Sequence, residues 1–180
     1  MSPGTDQTMP QRGPEVDDAP GGAAAGLSIV VPAYNEAASL ERLHDRLIEV
    51  AQRLTATRGL ACEVVYVDDG STDGTLKIAR ALPATVLDVQ VVSLSRNFGK
   101  EAALMAGLDH ARRGAVLFID GDGQHPPALI ETLVGHWLDD GCDVVYTAKA
   151  GRAGESLIKR AATAAESRRH PRGSWCALPN

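Results

Sequence analysis

The chain has 180 residues and a formal net charge of −5 at pH 7. The charge is uneven, because residues 1–148 carry 21 Asp/Glu against 11 Lys/Arg, whereas residues 149–180 carry 2 against 7. An acidic body argues against nucleic acid as a partner. No apolar run approaches the roughly 18 residues that span a bilayer, and no signal peptide is recognisable. We expect a cytoplasmic protein, with a peripheral position at the inner face of the membrane as the alternative that the basic end allows.

Composition divides the chain into three parts. Residues 1–26 are rich in Gly, Pro, Ala and Asp and have no hydrophobic period, which predicts a disordered tail. Residues 27–160 are long enough for one domain with a core. Residues 161–180 are basic and are predicted to be irregular. The three cysteines, Cys62, Cys142 and Cys176, show no Cys-x-x-Cys spacing and are expected to be structural thiols in a reducing compartment.

Strand and helix patterns alternate along the chain. Apolar residues between Leu40 and Leu54 recur at spacings of three and four, which predicts an amphipathic helix ended by Gly59. Pro32 is expected to close the first strand. The predicted strands are Leu27–Val31, Cys62–Val67, Val89–Leu94, Val116–Ile119 and Val144–Thr147, with helices over 40–54, up to about Leu82, over Lys100–Ala111, over Leu129–Leu138 and, weakly, over Glu155–Ala165. This alternation predicts an α/β fold with a mostly parallel sheet and helices on both faces.

Polar clusters follow the predicted strands. In such sheets ligands bind beyond the carboxyl ends of the strands. The clusters at these positions are 32–36, 68–69, 95–100 and 120–122. Four clusters on one rim favour a binding cleft over four unrelated turns.

Asp120 and Asp122 come directly after the fourth strand with one glycine between them. Side chains two residues apart on an extended segment share a side, so the two carboxylates converge. An isolated Asp-Gly-Asp is more often a solvated turn. Here the rim position and the amide oxygen of Gln124 favour a hard divalent cation, Mg²⁺ or Mn²⁺.

The loop after the first strand excludes one familiar nucleotide site. A dinucleotide-binding domain would show Gly-x-Gly-x-x-Gly there, with backbone N–H groups around the pyrophosphate. This chain has Pro-Ala-Tyr-Asn-Glu instead. A diphosphate beside these carboxylates would be repelled unless a cation bridges them.

Several rim residues have a structural interpretation beside the functional one. Asp69 is expected to accept hydrogen bonds from a ribose or a base. Tyr34 either stacks on a base or is a partly buried rim side chain. Lys100 is either an exposed first-turn lysine or a phosphate contact. The polar residues 71–73, and separately Asn97, are expected to cap the helices that follow them.

Four motifs in this order resemble family 2 of the inverting glycosyltransferases. They are Pro-Ala-Tyr-Asn-Glu, Val-Asp-Asp-Gly-Ser-Thr-Asp-Gly-Thr, Leu-Ser-Arg-Asn-Phe-Gly-Lys-Glu-Ala-Ala and Asp-Gly-Asp-Gly-Gln-His-Pro-Pro. The resemblance covers about residues 27–160. It is nearest to the branch that includes dolichol-phosphate mannosyltransferases and bactoprenol glucosyltransferases.

The resemblance implies a GT-A fold and transfer of a hexose, with inversion, from a UDP- or GDP-sugar to a polyprenyl phosphate at a membrane, assisted by Mg²⁺ or Mn²⁺. Carried over by position, it implies binding of the nucleotide sugar by Pro32, Tyr34, Glu36, Val67, Asp69, Lys100, Asp120 and Arg152. It also implies a metal site of Asp120, Asp122 and Gln124, with Asp122 as the catalytic residue.

The chain departs from the family pattern after about residue 160. Family members continue into a second half that forms the acceptor site, whereas 166–176 resemble nothing in the family. Lys149 also stands where an arginine is more usual, which weakens a two-point grip on phosphate. The alternative function is therefore a truncated donor-binding remnant that binds nucleotide sugar without transfer, unless a partner chain supplies the second half.

Overall fold

The computed structural model describes residues 26–121, 127–148 and 175–179. In chain order the elements are β1 (Gly26–Ala33), α1 (Leu40–Arg58), β2 (Ala61–Asp68), α2 (Thr75–Ala81), β3 (Leu87–Ser93), α3 (Lys100–His110), β4 (Ala115–Phe118), α4 (Pro127–Asp139), β5 (Val144–Ala148) and β6 (Trp175–Pro179). All of the predicted strands and the helices from α1 to α4 are thus confirmed. The predicted tail before Gly26 and the predicted helix Glu155–Ala165 lie outside the described residues.

Four strands form a parallel sheet in the order β3-β2-β1-β4. The hydrophobic runs of β1 and β2 are buried on both faces, as expected for the centre of a parallel sheet. α1, α2 and α4 pack on one face, and α3 packs on the other. The α/β prediction with helices on both faces is therefore confirmed.

β1 does not end at Pro32, as the sequence predicted, but continues to Ala33. The pairing of β1 with β4 stops at Val30 opposite Phe118, whereas its pairing with β2 continues to Ala33. A proline lacks the N–H that a strand with neighbours on both sides needs. Pro32 is tolerated because β4 has already ended at its level.

β5 pairs with β6 in a separate two-stranded parallel sheet and is not a fifth strand of the main sheet. The alternation of elements predicts strands but not which strands are neighbours. β6 also lies within the segment 161–180, so the prediction of an irregular tail is wrong at Trp175–Pro179. Five residues ending in proline gave no alternation to detect, and parallel pairing with β5 supplies the backbone hydrogen bonds that define the strand.

α3 approaches the sheet closely because of one glycine. A Cβ atom at Gly107 would lie 2.2 Å from Val30 Cγ1 and 3.1 Å from Val67 Cγ2, too close for any real side chain. Both valines are fully buried in central strands. Gly107 therefore allows α3 to pack closely on the sheet.

Two of the cysteines are buried and have different states. Burial raises the pKa of the free Cys62 thiol to about 11, so this thiol is unreactive near neutral pH. Cys142 is disulfide-bonded, which contradicts the expectation of free thiols. Spacing along the chain does not show which cysteines meet in space.

None of the helices in the described ranges combines the length and apolar character needed to cross a bilayer.

Candidate functional site

The predicted rim clusters meet in one cleft at the carboxyl ends of the main strands. Its volume is about 370 Å³. Residues after β1, after β2, before and within α3, and after β4 line it: Pro32, Ala33, Tyr34, Glu36, Asp69, Asn97, Gly99, Lys100, Ala103, Asp120 and Gly121. Six of the residues proposed for nucleotide-sugar binding are therefore brought together, as the parallel topology predicted.

Asp69 lies in the cleft wall and also holds the neighbouring loop in place. The residue is 4% exposed, and its carboxylate accepts two backbone N–H groups, that of Phe98 at Oδ1 (2.8 Å) and that of Gly99 at Oδ2 (2.9 Å). The loop before α3 is thus fixed to the end of β2. Asn97 lines the cleft and makes no side-chain cap, so the prediction of a capping role for Asn97 is wrong. The N-cap residue of α3 is Gly99, whose φ of 95° suits glycine.

The loop after β1 is bound to the loop after β2 through its backbone. Three successive N–H groups donate to side-chain oxygens: Asn35 to Ser71 Oγ (3.0 Å), Glu36 to Thr75 Oγ1 (2.8 Å) and Ala37 to Asp73 Oδ2 (3.2 Å). Asn35 has a φ of 58°, and its Oδ1 accepts the Thr72 N–H at 2.9 Å. In other proteins, consecutive N–H groups of this kind can bind an anion. Here they are already used, so the loop has none of these donors left for a diphosphate.

The polar residues 71–73 bridge the two loops, and Asp73 in addition serves the start of α2, so the predicted capping role is confirmed for Asp73. The N-cap residue Gly74 has no side chain, and the first helical N–H, that of Thr75, is accepted by Asp73 instead. Asp73 does bond locally, to the Thr75 hydroxyl (2.5 Å) and the Thr75 N–H (2.9 Å). These two hydrogen bonds lower the pKa of Asp73 and keep its carboxylate ionised. The sequence pattern for capping and for bridging is the same, so only the fold distinguishes them.

Ser39 is a site residue that the sequence did not reveal. It precedes α1 without capping it. Its Oγ lies 2.5 Å from Glu36 Oε2 and 3.2 Å from the Gly121 carbonyl oxygen. A Cβ on Gly121 would come within 3.0 Å of the Pro32 carbonyl oxygen, so this segment sits tightly against β1. Ser39 therefore joins the loop after β1 to the segment after β4, and a single serine in a polar loop gives no signal of that.

Lys100 and Asp120 form an ion pair across the cleft, through Nζ and Oδ1. The pair joins the first residue of α3 to the end of β4. Both side chains are partly exposed, 55% for Lys100 and 38% for Asp120. In this arrangement Lys100 contacts the proposed metal ligand and is more than an exposed first-turn lysine.

Aromatic side chains are exposed at the rim. Tyr34 is 45% exposed and lines the cleft, which agrees with the rim position and leaves a ring face for a base. Phe98 is 50% exposed, and the Arg96 guanidinium lies over its ring at 4.8 Å from the centroid. Of these side chains, only Tyr34 lines the cleft, whereas Phe98 and Arg96 lie on the loop beside it.

Val67 is not in the cleft. Its side chain is fully buried between the sheet and α3, together with Val30 and Ala103. Alternation along β2 places it on the face of the sheet that α3 covers, so this side chain does not line the cleft, contrary to the prediction. Three further predicted site residues, Asp122, Gln124 and Arg152, lie outside the described residues.

The donor set suits a hard cation. Among the described residues lining the cleft, three carboxylates (Glu36, Asp69 and Asp120) face one ammonium group, that of Lys100. Within the described ranges no three acidic, His or Cys side chains form a closed metal cage. Mg²⁺ does not require one, since it is usually held by one or two carboxylates, waters and substrate phosphates. Asp120, a partly exposed carboxylate in the cleft wall, fits that pattern.

Comparisons with known proteins agree with this geometry. The family described as "Glycosyl transferase family 2" matches residues 28–174. An uncharacterized glycosyltransferase of Synechocystis is 46% identical over 134 residues, which are 74% of this chain and 41% of that protein. The undecaprenyl-phosphate 4-deoxy-4-formamido-L-arabinose transferase of Yersinia pestis is 37% identical over 139 residues, 76% of this chain and 40% of that protein. The chain thus spans about two fifths of the length of these relatives.

Solved structures show the same fold. Glucosyl-3-phosphoglycerate synthase from Mycobacterium tuberculosis in complex with UDP is 33% identical, with a TM-score of 0.54 over 79% of this chain and 50% of that one. A second complex of that enzyme, with Mg²⁺ and UDP, is 31% identical, with a TM-score of 0.50 over 72% and 46% of the two chains. The predicted GT-A type of fold is confirmed. Since the family match covers most of the chain, this protein belongs to glycosyl transferase family 2.

Proposed function

We propose that this chain binds the nucleoside diphosphate of a nucleotide sugar in the cleft through Mg²⁺ or Mn²⁺. The observation that supports this most strongly is the charge of the cleft, where three carboxylates face one lysine and the backbone donors of Asn35–Ala37 are already used. A diphosphate entering such a site needs a bridging cation. When bound, the cation would stabilise the leaving diphosphate as a Lewis acid.

The residues divide between the two ends of the donor. Pro32, Tyr34, Glu36 and Asp69 form the wall where the nucleoside would lie. Asp120, together with Asp122 and Gln124 next to it in sequence, would hold the cation. Lys100 and Arg152 would contact the phosphates. Asp122 remains the proposed catalytic residue.

For the reaction we propose transfer of a hexose, with inversion, to a polyprenyl phosphate. The Yersinia pestis relative is named as an undecaprenyl-phosphate transferase, which supports this acceptor. The acceptor phosphate must lie in line behind the anomeric carbon, and such positioning can supply roughly 7–11 kcal/mol of the barrier. Because the chain spans about two fifths of such relatives, donor binding and transfer are separate questions.

Calorimetric titration with UDP and GDP, with and without Mn²⁺, tests donor binding. We expect binding of one nucleotide that depends on Mn²⁺ and weakens by more than about 10-fold in Asp120→Asn and in Asp122→Asn. Asp109→Asn, at an exposed position on α3 outside the cleft, is the matched control and should bind like wild type. Equal affinity with and without Mn²⁺ would contradict the metal role.

Transfer of a radiolabelled hexose to a short polyprenyl phosphate tests the reaction. Product at the rate of a full-length relative supports the transferase proposal for this chain. Mn²⁺-dependent donor binding without product supports instead the alternative of a donor-binding remnant.

A further inference from the structure

The Lys100 ammonium occupies the position where the proposed cation has to act. It contacts Oδ1 of Asp120, the described carboxylate of the proposed metal site. A divalent cation on the same oxygen would bring two positive charges together, and like charges at that distance repel strongly. Ammonium and metal ion therefore compete for Asp120.

The base of Lys100 is held in place while its side chain is free to move. Asp69 fixes the N–H groups of Phe98 and Gly99 just before it, and the helix begins at Lys100 itself. The lysine stem has four rotatable carbons and ends in three donors. More than half of the side chain is exposed, so leaving Asp120 breaks no packed contact with the core. Exposed ion pairs of this kind are weak, so a metal ion can displace the ammonium from Asp120.

We propose that Lys100 is an exchangeable counter-ion of the cleft. Without ligands it neutralises Asp120. When the divalent cation takes Asp120, Lys100 moves to an oxygen of the donor diphosphate. The proposal rests on the proposed function, and it adds that one lysine opposes metal binding to the empty cleft and favours nucleotide binding to the metal-loaded cleft.

This exchange predicts opposite effects of one substitution. Lys100→Met keeps the length of the stem and removes the charge. Its affinity for Mn²⁺ without nucleotide should rise about 2- to 5-fold, the value of an exposed ion pair. Its affinity for the nucleoside diphosphate in saturating Mn²⁺ should fall about 10-fold or more, the loss expected for a hydrogen bond to a charged group. A lysine with a purely structural role would not shift the two affinities in opposite directions.

The experiment is a titration of free Mn²⁺ by electron paramagnetic resonance on wild type, Lys100→Met and Lys77→Met, followed by calorimetry with UDP and GDP. Lys77 is exposed on α2 outside the cleft, so its variant changes the net charge equally and serves as the control. The proposal expects the opposite shifts in Lys100→Met alone.

Two results would overturn the proposal, and they differ. If wild type binds Mn²⁺ and nucleotide but Lys100→Met matches Lys77→Met, or both affinities fall, Lys100 is not an exchangeable counter-ion while the proposed function stands. If folded wild type binds neither Mn²⁺ nor a nucleoside diphosphate, the proposed function fails and the counter-ion role fails with it.

Discussion

Asp69 shows that a residue in a binding cleft also belongs to the fold. Both of its carboxylate oxygens accept backbone N–H groups, from Phe98 and Gly99. Each carboxylate oxygen can accept more than one hydrogen bond, so a nucleoside contact is compatible with this role. A loss of nucleotide binding in an Asp69 variant is then evidence for a contact only if the loop before α3 stays in place.

The first prediction separates these two roles. Asp69→Ala leaves the N–H groups of Phe98 and Gly99 without an acceptor, and both hydrogen bonds are partly buried, so we expect a loss of about 1–3 kcal/mol in the free energy of unfolding. Asp69→Asn keeps one acceptor oxygen and should lose about half of that. Urea denaturation measures both. An alanine variant as stable as wild type would show that the loop does not depend on this carboxylate.

At the residue scale, the sequence predicted which side chains meet but not what each one does. Asp69, Lys100 and Asp120 were correctly placed in one cleft, because the carboxyl ends of parallel strands share an edge. Val67 was assigned to the cleft by its place in a motif, and strand alternation turns it into the core. Ser39 was missed because its partners are 3 and 82 positions away, and no local pattern marks the second one.

Among the elements, the strands are joined by a buried polar network at the end opposite the cleft. Glu63 on β2 is 1% exposed and accepts hydrogen bonds from Ser28 Oγ on β1 (2.6 Å), Gln90 Nε2 on β3 (3.0 Å) and the Arg112 N–H (2.6 Å). Burial alone would raise the pKa of Glu63, but these hydrogen bonds outweigh it and lower the pKa below its ordinary value of 4.5. The carboxylate therefore stabilises the fold in its ionised form.

This lowered pKa predicts a dependence of stability on pH. The contribution of Glu63 is complete above the ordinary pKa of 4.5, which the unfolded chain keeps, and is lost as the pH falls through the lower pKa of the folded state. Glu63→Gln should therefore be less stable than wild type by about 1–3 kcal/mol at pH 7, and the difference should shrink below about pH 4. Urea denaturation across pH 3–7 measures it, with the exposed Glu49→Gln on α1 as control. A difference that stays constant over this range would refute the role of the ionised carboxylate.

The contact between α3 and the sheet gives a second prediction for the elements. Gly107→Ala adds a methyl group 2.2 Å from Val30 Cγ1, so we expect a net loss of about 1–2 kcal/mol in unfolding free energy from overpacking. Gly135→Ala in α4 is the matched control. Its Cβ would have nothing nearer than Asp139 Oδ2 at 3.8 Å, so the higher helix propensity of alanine should stabilise the protein by up to about 1 kcal/mol. If thermal or urea denaturation shows that both variants are stabilised, or that both are destabilised, the packing argument is contradicted.

The element boundaries were largely predictable because β1 and β2 are continuous apolar runs and α1 has a clear apolar period of 3.6 residues. The exact residue at which an element ends was less predictable. Pro32 did not end β1, since strand order decides which backbone groups need a partner. Pairing was not predictable at all for β5, because its partner β6 lies about 30 residues further along the chain and has no pattern of its own.

The strands of the main sheet differ in how far they are shielded from solvent, from the buried centre to the edge. β1 has strands on both sides and is almost fully buried. β4 has one neighbouring strand among the described residues, and all four of its residues are partly exposed. An uncovered strand edge exchanges its amide hydrogens more readily and is open to pairing with other chains.

Native-state hydrogen exchange measures this inequality residue by residue. We expect the amides of β1 to exchange only on global unfolding and those of β4 to exchange faster, with a lower free energy of opening. The comparison is internal, so β2 serves as a second buried reference. If β4 is as protected as β1, its free edge is covered in solution, either by another part of the chain or by a second copy, and sedimentation velocity at two concentrations distinguishes these cases.

The bonds between the loops after β1 and β2 have a consequence for recombination among relatives. Asn35, Glu36 and Ala37 depend on acceptors that lie in 71–75, so neither segment keeps its shape when it is replaced alone. A chimera that receives a foreign 34–37 beside the native 71–75 loses matched partners and leaves N–H groups unpaired. Any exchange of donor preference by loop grafting therefore has to move both segments as one cassette.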